Sequence, residues 1–163
     1  MLDKDLVFSI FAEKEKALLR FAYFMLHDQE LAKDFVQDVF IKLLHQEEMP
    51  DNVNAWLYRV CRNLIIDFKR RQKKVSFVDE YTVFTPTVSS RDHLELSEDF
   101  KRLHVAMEYL TELEKVIVIL KFYEDKSYKE ISLITDKSVS NVGFILHQAM
   151  KKLREKMKVK EEE

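Results

Sequence analysis

The sequence predicts an all-α protein made of two small helical domains that are joined by a linker. The chain has 163 residues but only one glycine and two prolines, far fewer turn residues than an all-β sandwich or barrel needs. Apolar residues recur at steps of three and four along most of the chain, which is the period of an amphipathic helix. This period is lost over residues 75–97, where Pro86 and a high content of serine and threonine favour an extended linker.

The first domain comprises residues 1–74 and is predicted to contain three helices. Asp28 follows a break in the apolar pattern and is the expected N-cap of the second helix, because its short side chain can accept from an amide of the first turn. A polar loop at residues 45–54, which contains Pro50, separates the second helix from the third. The helices are predicted over residues 3–26, 28–44 and about 55–74.

Residues 75–97 form the predicted linker, and a short strand there is the alternative. The second domain then comprises residues 98–158, and residues 159–163 form an acidic tail. Two capping boxes, Thr111 with Glu114 and Ser127 with Glu130, predict where two of its helices begin. Its helices are predicted from near Leu94 to near Leu110, over residues 111–123, over residues 127–134 and, after a turn at 135–138, over about 139–158.

The formal net charge of −2 conceals two basic segments. Residues 59–74 carry seven basic side chains against Asp67 alone, and residues 111–160 carry eleven against seven acidic ones. The segments before and between them are acidic. Two separate basic segments on one chain predict two contacts with polyanions.

Several function classes are excluded. One glycine cannot form the glycine-rich loops of nucleotide-binding sites, and the lone Cys61 permits neither an internal disulfide nor a Cys-x-x-Cys site. The five histidines lack metal-ligand spacing, so we expect no metal, no cofactor, no small-molecule substrate and no enzymatic activity. Without a signal peptide or an apolar run of about 20 residues, the chain is expected to be cytoplasmic with no stable membrane insertion.

The predicted helix at residues 55–74 has one apolar side and one polar side rich in cations. Cations neutralise phosphates, an amide can pair with a base edge, and an aromatic ring can stack on an unpaired base. A nucleic-acid contact and a solvated basic helix with a half-buried tryptophan both fit this pattern. The polar side holds Trp56, Arg59, Arg62, Asn63, Asp67, Arg70 and Lys73.

Residues 127–158 have the pattern of a helix-turn-helix, with a short capped helix, a four-residue turn and a longer second helix. Hydroxyl and amide side chains near the start of the second helix suit base edges or phosphates, and later lysines suit phosphates. A purely structural helix pair is the alternative. The side chains expected to face away from the core are Ser140, Asn141, Phe144, Gln148, Lys151 and Lys152.

Two blocks of this sequence resemble the bacterial sigma-70 family. LAKDFVQDVFIKL at residues 31–43 and AWLYRVCRNLIIDFKRR at 55–71 are similar to region 2 of that family. LTELEKVI at 110–117, SYKEI at 127–131 and SVSNV at 138–142 are similar to region 4. The order of the blocks and the chain length resemble the small extracytoplasmic-function (group IV) sigma factors, and the resemblance covers nearly the whole chain.

The resemblance implies a sigma factor that binds core RNA polymerase, recognises the −10 and −35 promoter elements and directs transcription initiation. It also implies an anti-sigma factor as regulator. The second helix would dock on the largest polymerase subunit, and region 4 would hold the second-largest. We expect the free chain to be a monomer, since no coiled-coil heptad run is present. The residues expected to dock on the largest subunit are Asp34, Gln37, Asp38 and Phe40.

The resemblance also assigns the promoter contacts. The loop before the third helix would capture a flipped base while that helix melts and reads the −10 element, and the last helix would read the −35 element. The expected −10 contacts are Asn52, Trp56, Arg59, Arg62, Asn63, Asp67, Arg70 and Arg71. The expected −35 contacts are Ser138, Ser140, Asn141, Phe144, His147, Gln148, Lys151, Lys152 and Arg154.

One segment departs from the family pattern. Family members commonly have Lys or Arg, then Ser, then Arg where this chain has Gly143, Phe144 and Ile145. The apolar pair could contact thymine methyl groups or a regulator. With two expected cations missing, we expect −35 binding to be weak and to depend mainly on the DNA backbone.

Two further functions remain alternatives at this stage. An autonomous DNA-binding regulator would use only the helix-turn-helix, and a helical adaptor would use its basic segments to bind proteins or acidic lipids. A sigma factor alone explains why two dissimilar basic helices are present, with a tryptophan only in the first.

Overall fold

The computed structural model describes residues 1–78 and 97–159. Throughout these residues the regular structure is helical and no strand occurs, which confirms the predicted all-α class. The described residues form two compact units, the first within Met1–Ser89 and the second within Ser90–Glu163. No helix in the described parts of the chain is both long enough and apolar enough to cross a membrane.

The first unit contains three helices. Aspartate caps begin the first two, because the Asp3 carboxylate accepts from the Leu6 amide at 3.0 Å and the Asp28 carboxylate, the predicted cap, accepts from the Leu31 amide at 3.1 Å. Between them, His27 takes the left-handed conformation that ends the first helix. The helices are α1, Lys4–Leu26; α2, Gln29–Leu44; and α3, Val53–Val78.

The core of the first unit is held by aromatic contacts between each pair of helices. Edge-to-face ring pairs of this kind are worth about 0.5–1.5 kcal/mol beyond the area that they bury. Cys61 lies in this core with no exposed surface, and burial raises the pKa of its thiol to about 12. The ring pairs are Phe11–Phe40 at 4.9 Å, Phe21–Tyr58 at 5.5 Å and Phe35–Phe68 at 5.4 Å between centroids.

Helix α3 is longer than predicted at both ends. Its N-cap is Asn52, whose side-chain oxygen accepts from the Ala55 amide at 3.0 Å, so the helix begins at Val53 rather than near Ala55. Its end at Val78 means that the first four residues of the predicted linker are helical. The rest of that linker, with the strand alternative and the predicted restart near Leu94, lies outside the described residues.

The second unit begins with a helix capped by Ser97, whose hydroxyl accepts from the Phe100 amide at 3.3 Å. This helix ends at Met107 instead of near Leu110, because the next residues form tighter turns such as the bond from the Leu110 amide to the Met107 carbonyl. Both predicted capping boxes are present. The helices are α4, Glu98–Met107; α5, Glu112–Val118; α6, Tyr128–Thr135; and α7, Val139–Val159.

A π-helical segment, Ile119–Tyr123, continues α5 and was not predicted. The Glu124 amide donates to the Ile119 carbonyl at 3.1 Å, five residues back, and the wider turn ends the helix. Residues 114–120 are all buried, so this part of the chain passes through the centre of the second unit. The apolar period from Val116 to Tyr123 indicates a helix but does not distinguish an α turn from a π turn.

Candidate nucleic-acid interfaces

A groove of about 760 Å³ lies in the first unit between the end of α2 and the middle of α3. Its α3 wall carries an indole, an amide and guanidinium groups, with Val60, Leu64 and Ile66 between them. An apolar floor with a few polar and cationic groups suits an unstacked base and its phosphate. Five residues predicted to contact the −10 element line the groove: Trp56, Arg62, Asn63, Asp67 and Arg70.

The opposite wall of this groove comes from three residues that sequence reasoning missed, Lys42, His45 and Gln46. His45 donates from Nδ1 to the Ile41 carbonyl at 2.8 Å, and Gln46 donates to the Lys42 carbonyl at 3.2 Å, so hydrogen bonds to the last turn of α2 orient both side chains. Their spacing of three and four residues puts them on one side of the helix. That spacing is visible in the sequence, but the packing that places them opposite α3 is not.

The other three predicted −10 residues, Asn52, Arg59 and Arg71, do not line this groove. The side chain of Asn52 caps α3 by accepting from the Ala55 amide. Asp67 forms ion pairs with Arg70 and, at 3.0 Å, with Arg71. All three side chains are more than a third exposed, so these pairs add little to stability. They orient the two guanidinium groups along α3.

The predicted polymerase-docking residues lie on α2. Asp34, Gln37 and Asp38 are exposed at a spacing that places them on one stripe of the helix. Phe40 is different, because it is only 6% exposed and packs edge-to-face on Phe11. Its predicted docking role is therefore corrected to a core role. The stripe continues at Ile41, an exposed isoleucine that was missed although it stands three residues after Asp38.

The second unit presents the predicted helix-turn-helix. Helix α6 ends at Asp136 in the left-handed conformation, and Ser138 caps α7 by accepting from the Asn141 amide at 3.1 Å. Gly143 faces α6, where a Cβ atom would lie 3.8 Å from Tyr128 Cε2. The predicted −35 residues that are exposed are Ser138, Ser140, Asn141, Phe144, His147, Gln148, Lys151 and Arg154.

Lys152 is the exception among the predicted −35 residues. Its ammonium group donates to Glu114 Oε1 at 2.7 Å, and this carboxylate is buried beneath the side of α7. Burial raises the pKa of Glu114, but hydrogen bonds from Lys152 and from the Thr111 amide outweigh it and hold the pKa below its usual range. The structure therefore places the ammonium group of Lys152 against a carboxylate of its own unit, although the side chain is 44% exposed, and its contact with DNA stays a prediction.

No group of three histidine, cysteine, aspartate or glutamate residues within the described residues is placed to hold a metal ion. The two surfaces instead combine cations, amides and exposed rings. Side chains of these types bind the phosphates and bases of nucleic acids.

Both units match families of known proteins. Residues 10–75 match the family described as Sigma-70 region 2, and residues 100–153 match the family described as Sigma-70, region 4. In the solved structure of the sigma factor RpoE in complex with the anti-sigma factor NepR from Bartonella quintana, one chain has a similar fold. The TM-score is 0.74 at 23% identity, covering 96% of this chain and 99% of that one.

Curated relatives are similar over most of their length. RNA polymerase sigma factor SigV of Bacillus subtilis (strain 168) is 30% identical over 154 residues, which are 93% of this chain and 90% of SigV. ECF RNA polymerase sigma factor SigM of the same strain is 31% identical over 144 residues, covering 83% of this chain and 85% of SigM. RNA polymerase sigma factor YlaC, also of that strain, is 28% identical over 171 residues, covering 100% of this chain and 99% of YlaC.

Proposed function

This chain belongs to the sigma-70 family of RNA polymerase sigma factors, in its extracytoplasmic-function branch, and from that premise we propose how its two units share the work of initiation. The family consists of transcription initiation factors. We propose that the chain binds core RNA polymerase in the cytoplasm, that its first unit opens and reads the −10 element, and that its second unit reads the −35 element. It needs no cofactor for this and catalyses no reaction itself.

The groove between α2 and α3 is the observation that carries the −10 proposal. A base that leaves the stack needs a face to stack on and polar groups at its edge. Trp56 offers the stacking face, Asn63 offers a carboxamide to a base edge, and Arg62 offers charge to the phosphate. Lys42 and His45 extend the polar lining from the α2 side. One strand of melted promoter DNA would follow this groove.

The α2 stripe is the proposed docking surface for the largest polymerase subunit. Asp34, Gln37 and Asp38 present two carboxylates and an amide, which suit a basic partner helix. Ile41 adds an apolar contact at the end of the stripe, 54% exposed in the chain alone. The second unit would hold the second-largest subunit while α7 faces DNA.

The proposed domains keep the boundaries expected from the sequence, with one change. Region 2 comprises residues 1–74 and region 4 residues 98–158, joined by the linker and followed by the acidic tail at 159–163. Because α3 continues to Val78, we propose that the linker proper starts after that residue. We also propose that an anti-sigma factor controls the free, monomeric chain, a proposal supported by the similar fold of RpoE, which was solved bound to NepR.

Two alternatives lose support. An autonomous regulator would need only the helix-turn-helix, and an adaptor would need neither promoter-reading surface, whereas the family match covers both units.

Variants of the first unit test the division of labour. Asp38→Ala should weaken binding to core polymerase, whereas Glu13→Ala, an exposed carboxylate on α1, should not. Asn63→Ala should leave core binding intact and reduce the fraction of promoter that permanganate detects as melted. If Asp38→Ala binds core polymerase as well as Glu13→Ala does, the docking proposal is wrong. If Asn63→Ala melts promoters normally, the −10 proposal is wrong.

A further inference from the structure

Phe144 stands on the face of α7 that points away from the core and is 62% exposed. Asn141 and Gln148 lie three residues before it and four residues after it, so the three side chains form one outward stripe. Covering an exposed phenylalanine ring removes apolar surface from water and is favourable in free energy. A partner that covers it would accept two carboxamides beside an aromatic ring.

The charge of this face narrows the choice of partner. Residues 139–150 contain no lysine or arginine, and the next cation on the stripe is Lys151. Lys152 lies off this stripe, and its ammonium group donates to Glu114 Oε1 at 2.7 Å. The first three turns of α7 therefore offer no lysine or arginine to guanine, whose O6 and N7 atoms are read by such cations. They offer carboxamides and an apolar surface.

In the major groove, one base pair combines these two chemistries. Adenine presents N6 and N7, which a carboxamide can bind, and its thymine partner presents a C5-methyl group, the one apolar group among the base edges. The stripe from Asn141 to Gln148 rises about 10.5 Å along the helix, roughly the length of three base-pair steps. The stripe therefore fits a short run of A·T pairs.

The packing of α7 holds Phe144 in this orientation. Gly143, the preceding residue, faces α6, where an added Cβ atom would lie 3.8 Å from Tyr128 Cε2, so the next side chain is turned about 100° away from α6. Further along, the bond from Lys152 to Glu114 fixes the opposite side of α7 against α5. Together the two contacts define which side of α7 faces outward.

We propose that Phe144 reads thymine methyl groups of the −35 element, so that this chain selects A·T base pairs there by an apolar contact instead of by cations on guanine. This inference rests on the proposed function, because it needs α7 in the major groove of a promoter. It replaces the expectation that −35 binding depends mainly on the DNA backbone.

The test removes the methyl groups one at a time. On a promoter that the chain activates in transcription with core polymerase, each −35 thymine is replaced by deoxyuridine, which pairs identically but lacks the C5-methyl group. Holoenzyme affinity for each duplex is then measured with wild type and with Phe144→Ala. The affinity of the wild type should fall about fourfold at one or more positions, which corresponds to the free energy of burying one methylene-sized group. Phe144→Ala should bind both duplexes equally at those positions.

Phe122→Ala is the matched control, since Phe122 is 57% exposed in the same unit but outside α7, and it should keep the fourfold discrimination. Equal wild-type affinity for thymine and deoxyuridine at every −35 position would overturn the proposal. So would an undiminished deoxyuridine penalty in Phe144→Ala, the result expected if Phe144 faces a protein regulator. Either result would leave the proposed function standing, because the promoter is still activated by the chain. The absence of any activated promoter would instead overturn the proposed function together with this inference.

Discussion

Lys152 on α7 donates to Glu114 Oε1 on α5 at 2.7 Å, joining residues 38 positions apart in the chain. The Thr111 amide donates to the same oxygen at 3.2 Å, so the glutamate of a capping box also anchors the proposed recognition helix. The other oxygen, Oε2, is buried and has no hydrogen-bond partner. The adjacent Lys151 is exposed. Two neighbouring lysines therefore have different surroundings, since Lys152 is bonded to a buried carboxylate and Lys151 is exposed.

The first prediction concerns stability. Lys152→Met should lower the free energy of unfolding of the second unit by about 1–3 kcal/mol, because it leaves the buried Glu114 carboxylate without its charged donor. Lys151→Met should change it by less than about 0.5 kcal/mol. Chemical unfolding followed by circular dichroism measures both, while fluorescence of Trp56, the single tryptophan, reports the first unit separately. Equal effects of the two substitutions would show that the Lys152–Glu114 contact contributes nothing.

The second prediction concerns the salt dependence of promoter binding. Lys151→Met should reduce the slope of log affinity against log salt by about 1, because one phosphate contact and its counterion release are lost. Lys152→Met should leave the slope unchanged. Holoenzyme binding to a promoter duplex over a range of salt concentrations gives the slopes. The opposite ranking would place Lys152 on DNA and contradict the role assigned here.

The third prediction concerns acid. Burial raises the pKa of Glu114, but its hydrogen bonds lower this pKa by a larger amount. The pKa of Glu114 in the folded chain therefore lies below its pKa in the unfolded chain. The resulting stabilisation is complete above the ordinary glutamate pKa of about 4.3 and is lost as the pH falls through the lowered value. Unfolding curves of wild type and Glu114→Gln should converge below about pH 4.3 and differ by a constant amount at neutral pH. A stability difference that persists unchanged into acid would show that the charge of Glu114 is not what stabilises the unit.

The fourth prediction concerns Gly143. It lies inside α7 without a positive φ, and an added Cβ would meet Tyr128 Cε2 at an ordinary 3.8 Å. Gly143→Ala should therefore stabilise the second unit by about 0.5–1 kcal/mol, the cost of glycine in a helix interior. Thermal unfolding followed by circular dichroism measures the change. Destabilisation would mean that α6 and α7 need a closer approach than the structure has.

The fifth prediction concerns Cys61. Its thiol has no exposed surface and a pKa of about 12, so at pH 8 almost no reactive thiolate forms in the folded first unit. Alkylation by iodoacetamide, followed by mass spectrometry, should be many times slower in the folded chain than in urea. Rapid labelling of the native chain would show that the aromatic core around α3 opens readily.

The sequence predicted the parts of the fold that depend on local chemistry. The caps at Asp28, Thr111 and Ser127 follow from polar side chains at fixed spacing from the first-turn amides, and all three are present. The start of α3 was placed too late because Val53 and Asn54 were included in the proline-containing polar loop at 45–54, whereas the cap that starts the helix is Asn52.

The surroundings of several predicted site residues were not foreseen, since periodicity places a residue on a side of a helix but does not say what covers that side. Phe40 was assigned to a docking surface, whereas the ring of Phe11 on α1 covers it. Lys152 was expected to face away from the core, and its long side chain reaches back to a carboxylate on α5. The α2 wall of the groove, with Lys42 and His45, depends on how two helices pack and so was not predicted.

The central claim is that this chain gives core RNA polymerase its promoter selectivity. The most direct measurement is transcription in vitro with bacterial core polymerase and fragmented genomic DNA, with and without the chain, mapping every 5′ end. We predict new, discrete start sites that depend on the chain and whose upstream sequences align into a −10 and a −35 element. Transcripts unchanged by the chain, together with no binding of the chain to core polymerase, would contradict the claim.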